Sequence, residues 1–210
     1  MSGKPFSPAC ERNREPILGV LREAFASRRA ALEIGSGTGQ HAVHFAAHMP
    51  WLCWQSSDRA ENLPGIRAWL DEAALPNTPP PLQLDVAADE WPAGPFDAIF
   101  SANTLHIMSW AEVERLFAGL GRCAAPDAVL AIYGPFNVDG RFTSESNAAF
   151  DASLRAAAPH RGIRDRAAVA ELAAAQGFAQ MADHAMPANN RCLVWVRGRG
   201  QGSGDRTQSR

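Results

Sequence analysis

The sequence is short of several things, and each shortage removes a class of function. Among its 210 residues stand only four cysteines, Cys10, Cys53, Cys123 and Cys192, with no CxxC pair. Neither a zinc site nor a disulfide framework is expected from that scatter, and buried thiols in a reducing cytoplasm are. No apolar run approaches the ~18 residues that a membrane-spanning helix needs, so no membrane partner is expected. The opening MSGKPFSPACERNREP lacks the apolar stretch of a secretory leader. Basic charge is not in excess either, with 20 Lys and Arg against 22 Asp and Glu. The final stretch RGRGQGSGDRTQSR (197–210) holds four arginines against one aspartate, which leaves the body more acidic still. That balance does not favour a nucleic-acid footprint, which needs a basic face.

Hydrophobic residues make up 46% of the chain and charged residues 20%, the balance of a globular protein. Residues 1–197 are expected to form a single domain, with residues 1–10 as a flexible N-terminal segment. The Gly-, Ser- and Arg-rich stretch 198–210 reads as a disordered tail. Between them, helical and strand-like segments alternate. Residues 11–27 carry Ile17, Leu18, Leu21 and Phe25 on one helical face, with Pro16 expected in the first turn. Strands are expected at 30–35, 51–58, 81–86, 96–103 and 129–136. Helices are expected at 40–48, 60–74, 110–123, 145–158 and 165–176. Residues 178–186 and 192–197 read as an antiparallel strand pair. This pattern predicts an α/β fold: a seven-stranded, mostly parallel sheet with an antiparallel C-terminal pair and helices on both faces. Ligands of such sheets bind off the C-terminal strand ends, where the strand order reverses.

ALEIGSGTGQH (31–41, with Ala30 before it) sits at such a strand end, with glycines at 35, 37 and 39. Glycines there allow a sharp strand-to-helix turn and a close backbone approach to a ligand. The dinucleotide pattern GxGxxG would need glycine at position 40, where Gln40 stands. Acids close three neighbouring strands: Glu33 just before the loop, then Asp58 about 20 residues on, then Asp85. Each alone also suits a helix cap or a solvated strand end. Together they separate two ligands by charge. The pyrophosphate of NAD wants helix N-terminal amides and no neighbouring carboxylate, and Glu33 would repel it. A 2′-phosphate of NADP would meet Asp58. S-adenosylmethionine carries a sulfonium and an ammonium instead, and an acidic cleft suits a cation.

LEIGSGTGQ (32–40) resembles motif I of the class I S-adenosylmethionine-dependent methyltransferases, with Glu33, the loop, Asp58 and Asp85 in the expected order. A closer resemblance runs from Ser7 to Val196. SPACERNREPIL (7–18), SGTGQHAVHFA (36–46), WQSSD (54–58), YGPF (133–136), ESNAAFD (145–151), GIRD (162–165) and MPANN (186–190) are similar to the domain of unknown function 938 family, also called the methyltransferase-like 26 type. The resemblance implies S-adenosylmethionine as cofactor, a Rossmann-like fold, and a role for each matched residue. Glu33 would sit near the methionyl ammonium. Gly35, Ser36, Gly37, Thr38 and Gly39 would wrap the cofactor, and Asp58 would accept from the ribose hydroxyls. Asp85 and the Val86 backbone would read the adenine, and Asn103 would lie beside the methionine moiety. Arg12 would pair with the methionyl carboxylate, with Asn13 beside it at the substrate pocket.

Methyl transfer is an in-line displacement, and holding the acceptor in line is most of the work. Where the acceptor must lose a proton, a base is wanted. His106 in SANTLHIM, just after the fourth strand, is the first candidate, against the alternative of a packing or capping histidine. Tyr133, the sole tyrosine, is the second, against that of an aromatic wall. Phe136, Asn189 and Asn190 are expected around the acceptor, although an Asn-Asn pair also suits a simple turn. His41 is expected near the cofactor and His44 on the helix surface. SANTLH stands where an Asn-Pro-Pro-aromatic element would mark a nucleic-acid amino-methyltransferase. The expected function is methylation of a small molecule rather than a macromolecule. The competing classes are a non-catalytic binding or scaffolding protein with the same fold and, further off, a nicotinamide-dependent oxidoreductase.

Overall fold

The computed structural model describes residues 4–88 and 90–198. Residues 199–210 of the expected tail lie outside the described residues. The first helix, α1 (Pro8–Ala24), is capped by the Ser7 hydroxyl and starts with proline at its first turn. It therefore begins three residues earlier than expected, and Pro8–Cys10, part of the segment read as flexible, form its first turn. Pro8 takes the first-turn place expected for Pro16, which lies inside the helix and costs it one backbone hydrogen bond.

The remaining elements are β1 (Ala30–Ile34), α2 (Gln40–His48), β2 (Cys53–Asp58), α3 (Leu63–Ala73), β3 (Leu82–Gln83), β4 (Phe96–Ala102), α4 (Trp110–Cys123) and β5 (Ala124–Gly134). β6 (Phe136–Asn137), α5 (Glu145–Ala157), β7 (Arg164–Asp165), α6 (Arg166–Ala175), β8 (Phe178–Met186) and β9 (Asn190–Arg197) follow. A short 3-10 turn at Ala60–Asn62 precedes α3, and Pro64 sits at the helix start, where its missing N–H costs nothing.

The sheet order is β3-β2-β1-β4-β5-β9-β8. The first five strands are parallel, and β9 runs against both β5 and β8. This is the expected Rossmann-like methyltransferase fold. β6 and β7 pair apart from the main sheet and were not foreseen. A two-residue strand carries no periodicity to read.

Period-2 alternation splits the core between the two faces of the sheet. Leu32, Ile34, Ile99, Leu130 and Trp195 pack with α4 and α6. Ala31, Phe100, Tyr133 and Val194 pack with α1, α2 and α3. The alternation puts Glu33 on the second of these faces, among aromatic rings. Strand order reverses between β2-β1 and β1-β4, so the C-terminal end of β1 is the switch point. Asp85 lies just past the short β3 rather than on it.

Candidate functional site

The glycine loop is stitched to the next strand before any ligand is considered. The Gly35 and Ser36 amides both donate to the Ser57 carbonyl at 3.0 Å. The Ser36 hydroxyl donates to Glu33 Oε2 at 2.9 Å, and Trp54 Nε1 donates to the same oxygen at 3.0 Å. Glu33 is 1% exposed, and burial pushes its carboxyl up to about 7, against the pull of the Trp54 and Ser36 hydrogen bonds. Trp54, Phe45 and Phe100 form the aromatic layer on that face, with ring centroids 5.3–5.9 Å apart.

The three glycines do different work. Gly39 has φ +91, and a Cβ there would stand 3.0 Å from Ile66 Cα, so α2 and α3 meet across it. A Cβ on Gly35 would strike the Thr104 methyl at 2.4 Å. Gly37, with φ +58, has nothing within 4 Å of such a position and leaves backbone bare. Its amide donates to Asp58 Oδ2 at 2.7 Å.

A cavity of about 1040 Å³ opens above these strand ends. Gly35, Ser36, Gly37 and Thr38 line it, with Asp58, Asp85, Val86 and Asn103. Asp58 is held in place, its Oδ1 accepting from the Arg59 amide at 2.7 Å and Asn62 Nδ2 at 2.9 Å. Asp85 Oδ1 accepts from the Ala87 amide at 2.9 Å. Asn103 closes β4 in the left-handed region at φ 57 and donates its amide to the Tyr133 carbonyl at 2.9 Å. Asparagine is among the few non-glycine residues that adopt this region readily.

The residues expected on the acceptor side do not line this cavity. His106 is buried, edge-on to Phe150 at 5.3 Å, and is not on the cavity wall. Burial, then Arg164 and Arg161, lower its imidazole to about 4. Tyr133 faces α1 inside the core, where burial raises its hydroxyl. Asn13 is buried, with Oδ1 2.7 Å from His41 Nε2. Phe136 is a core residue. Asn189 and Asn190 serve the β8–β9 turn: Ala188 and Asn189 are left-handed at φ 56 and 57, and Asn190 Nδ2 donates to the Pro187 carbonyl. Asn189 instead ties that turn to α5, through Ser146 and Asn147. Arg12 is exposed and off the wall, as is Gly39, while Glu33 lies behind the loop. His41 does line the cavity, and burial, then His44 and Arg14, lower it to about 4.

Other residues, not singled out in the sequence, line the cavity beyond the loop. Ser7, Ala9 and Cys10 of the first helical turn line one wall. Thr104, Ile107, Met108, His160 and Arg161 line another. Arg164, in the GIRD stretch singled out above, donates to the Leu105, Met108 and His160 carbonyls and lays the 158–163 loop on the segment after β4. The stretch itself was the signal, but no periodicity says which segment an arginine will clasp.

Known structures share this architecture. An O-methyltransferase family protein from Burkholderia thailandensis superposes with a TM-score of 0.81 at 18% identity, over 92% of this chain and 58% of that one. The S-adenosylmethionine-dependent methyltransferase SibL, in its apo form, gives 0.77 at 23% identity, over 91% and 56%. An O-methyltransferase family 2 protein from Planctomyces limnophilus, in complex with apigenin, gives 0.78 at 15% identity, over 90% and 57%. The chain thus spans little more than half the length of each, and at these identities the likeness is one of fold. A family model matches much further in sequence, over residues 4–197. By that match the chain belongs to the family described as protein of unknown function DUF938.

Proposed function

We propose that this chain binds S-adenosylmethionine over the glycine loop and transfers its methyl group to a small molecule. One observation carries the reading: the bare backbone of Gly37 and the carboxylates of Asp58 and Asp85 line one cavity at the switch point of the sheet. The carboxylates of Asp58 and Asp85 suit a cationic ligand and oppose a pyrophosphate. Asp58 would hold the ribose, Asp85 with the Val86 backbone the adenine, and Asn103 the methionine moiety. At about 1040 Å³ the cavity lies at the top of the usual range for ligand pockets, roughly 300–1,000 Å³. The apigenin bound to one structural neighbour supports an acceptor of that kind.

The cofactor supplies an electrophilic methyl on a sulfonium. The chain's own part is to exclude water and align a nucleophile; neither His106 nor Tyr133 lines the cavity, and the histidines that do are His41 and His160. His41, lowered to about 4 chiefly by burial, is neutral at pH 7 but a weak base.

The test is calorimetry and thermal shift of the full chain with S-adenosylmethionine, S-adenosylhomocysteine and NAD. A ligand of the folded state raises stability with the logarithm of its saturation. Response to the two sulfur ligands and none to NAD is expected. Response to NAD alone contradicts the reading.

A further inference from the structure

We propose that the methyl acceptor carries an oxyanion, a carboxylate or a phosphate, that pairs with Arg161 on the cavity wall. The proposal rests on the cavity being the methyl-transfer site. Three arginines line that cavity, and two are already engaged. Arg59 is paired with Glu61. Arg115 donates to the Ala87 carbonyl at 2.7 Å. Arg161 is different: its Nε is buried with no hydrogen-bond partner, and among the described residues no ion pair holds its guanidinium.

Its backbone is nonetheless well fixed. The Arg161 amide donates to the Ala158 carbonyl at 3.0 Å, and the next amide, of Gly162, donates to the His106 carbonyl at 3.0 Å. Arg164 clasps the same loop from beneath through the Leu105 and His160 carbonyls. The loop is thus built to hold a guanidinium at the cavity while giving it nothing to bond.

The carboxylates of the cavity do not supply the missing partner. Asp58 accepts from Gly37, Arg59 and Asn62, and Glu112 accepts from the Ser109 amide in a capping box. A guanidinium presents a rigid fork of donors that matches carboxylate and phosphate oxygens two at a time. Ile107, 45% exposed, and Met108 line the wall of the same cavity. The acceptor class that fits is a small anion with an apolar body.

The test is NMR of the arginine Nε–H groups in the full chain, saturated with S-adenosylhomocysteine and titrated with benzoate, phenyl phosphate and benzamide. Saturable movement of the Arg161 signal by benzoate or phenyl phosphate, and not by benzamide, is expected. Whichever anion binds more tightly tells a carboxylate acceptor from a phosphate one. Arg161→Met should weaken that anion at least tenfold and leave S-adenosylhomocysteine affinity unchanged. Arg161→Lys should restore part of the binding. No movement with either anion, or equal binding of benzamide, overturns the proposal. Loss of S-adenosylhomocysteine affinity in Arg161→Met also overturns it, because the arginine would then serve the cofactor's own carboxylate. Failure of S-adenosylhomocysteine to bind the unaltered chain is a separate result and overturns the reading of the cavity instead.

Discussion

The cavity has two walls, and they are built by different means. On the β1-β2-β3 side, the side chains and amides hang directly from strand ends. Gly37 bonds Asp58, and the Gly35 and Ser36 amides bond Ser57, across one pair of adjacent strands, while Ser36 bonds Glu33 at the end of β1. On the β4-β5 side, the wall is assembled from the segment after β4 and the loop after α5, while the first turn of α1 leans on the glycine-loop side, its Ser7 amide donating to Gln40 Oε1 at 2.6 Å. Those pieces are held by long-range clasps such as Arg164 on the Leu105 carbonyl. The first wall is a property of the sheet. The second is a property of loops leaning on one another, and it is where one fold can be refitted to different acceptors.

The comparison is sharpest within the glycine loop. Gly39→Val should cost about 3–4 kcal/mol of stability, from a strained left-handed backbone and a clash with α3. Urea denaturation would read it. Gly37→Ala meets open space, so about 1 kcal/mol is expected there, with weakened ligand binding as the main effect. Equal stability losses at the two positions would break the distinction between a packing glycine and a ligand-facing one.

Glu33 joins the two kinds of work in one residue. Its carboxyl has a folded value of about 7 against an ordinary 4.5. Since the unfolded chain gives up this proton first, the contribution is fully present below pH 4.5 and is lost as pH rises to about 7. The loss amounts to roughly 3 kcal/mol. Glu33→Gln should flatten the stability–pH curve over that window and raise the melting temperature at pH 8. It should also weaken S-adenosylhomocysteine if the carboxylate answers the ammonium. A pH profile unchanged by the substitution would contradict the burial argument.

Asp58→Ala should weaken S-adenosylhomocysteine by about 1–3 kcal/mol, read by calorimetry. Asn189→Ala acts on the other side and should cost only about 1 kcal/mol of stability, with cofactor affinity unchanged. If Asn189→Ala lost affinity as Asp58→Ala does, the turn would belong to the site after all. A last check is the titration of His106. Its ring signals should stay flat from pH 8 to pH 5 in an NMR titration and move only towards about 4. Stability from its neutral ring is present above the ordinary 6.5 and is lost as pH falls to about 4.

The sheet and the loop wall were legible because both follow local rules. Alternating strands and helices predict the parallel sheet, and glycines with acids at strand ends predict which wall they form. Asp58, Asp85, Val86 and Asn103 accordingly do line the cavity. The other wall was not legible. Tyr133 sits at a strand end too, but the alternation of β5 turns it to the α1 face. His106 follows β4 as expected, yet the chain bends it against Phe150. The Asn189–Asn190 pair took the turn that asparagines tolerate. Arg161 and His160 reach the cavity on a loop held to a segment more than 50 residues away in sequence, through Arg164 on Leu105 and Met108 and the Gly162 amide on His106.

The most direct test of the account is a crystal structure of the complex with S-adenosylhomocysteine. The account predicts the ribose hydroxyls on Asp58, the adenine against Asp85 and Val86, and the sulfur facing the Asn103 side of the cavity. A ligand seated elsewhere, or one that leaves Asp58 bonded only to Gly37, Arg59 and Asn62 as it is here, would contradict it.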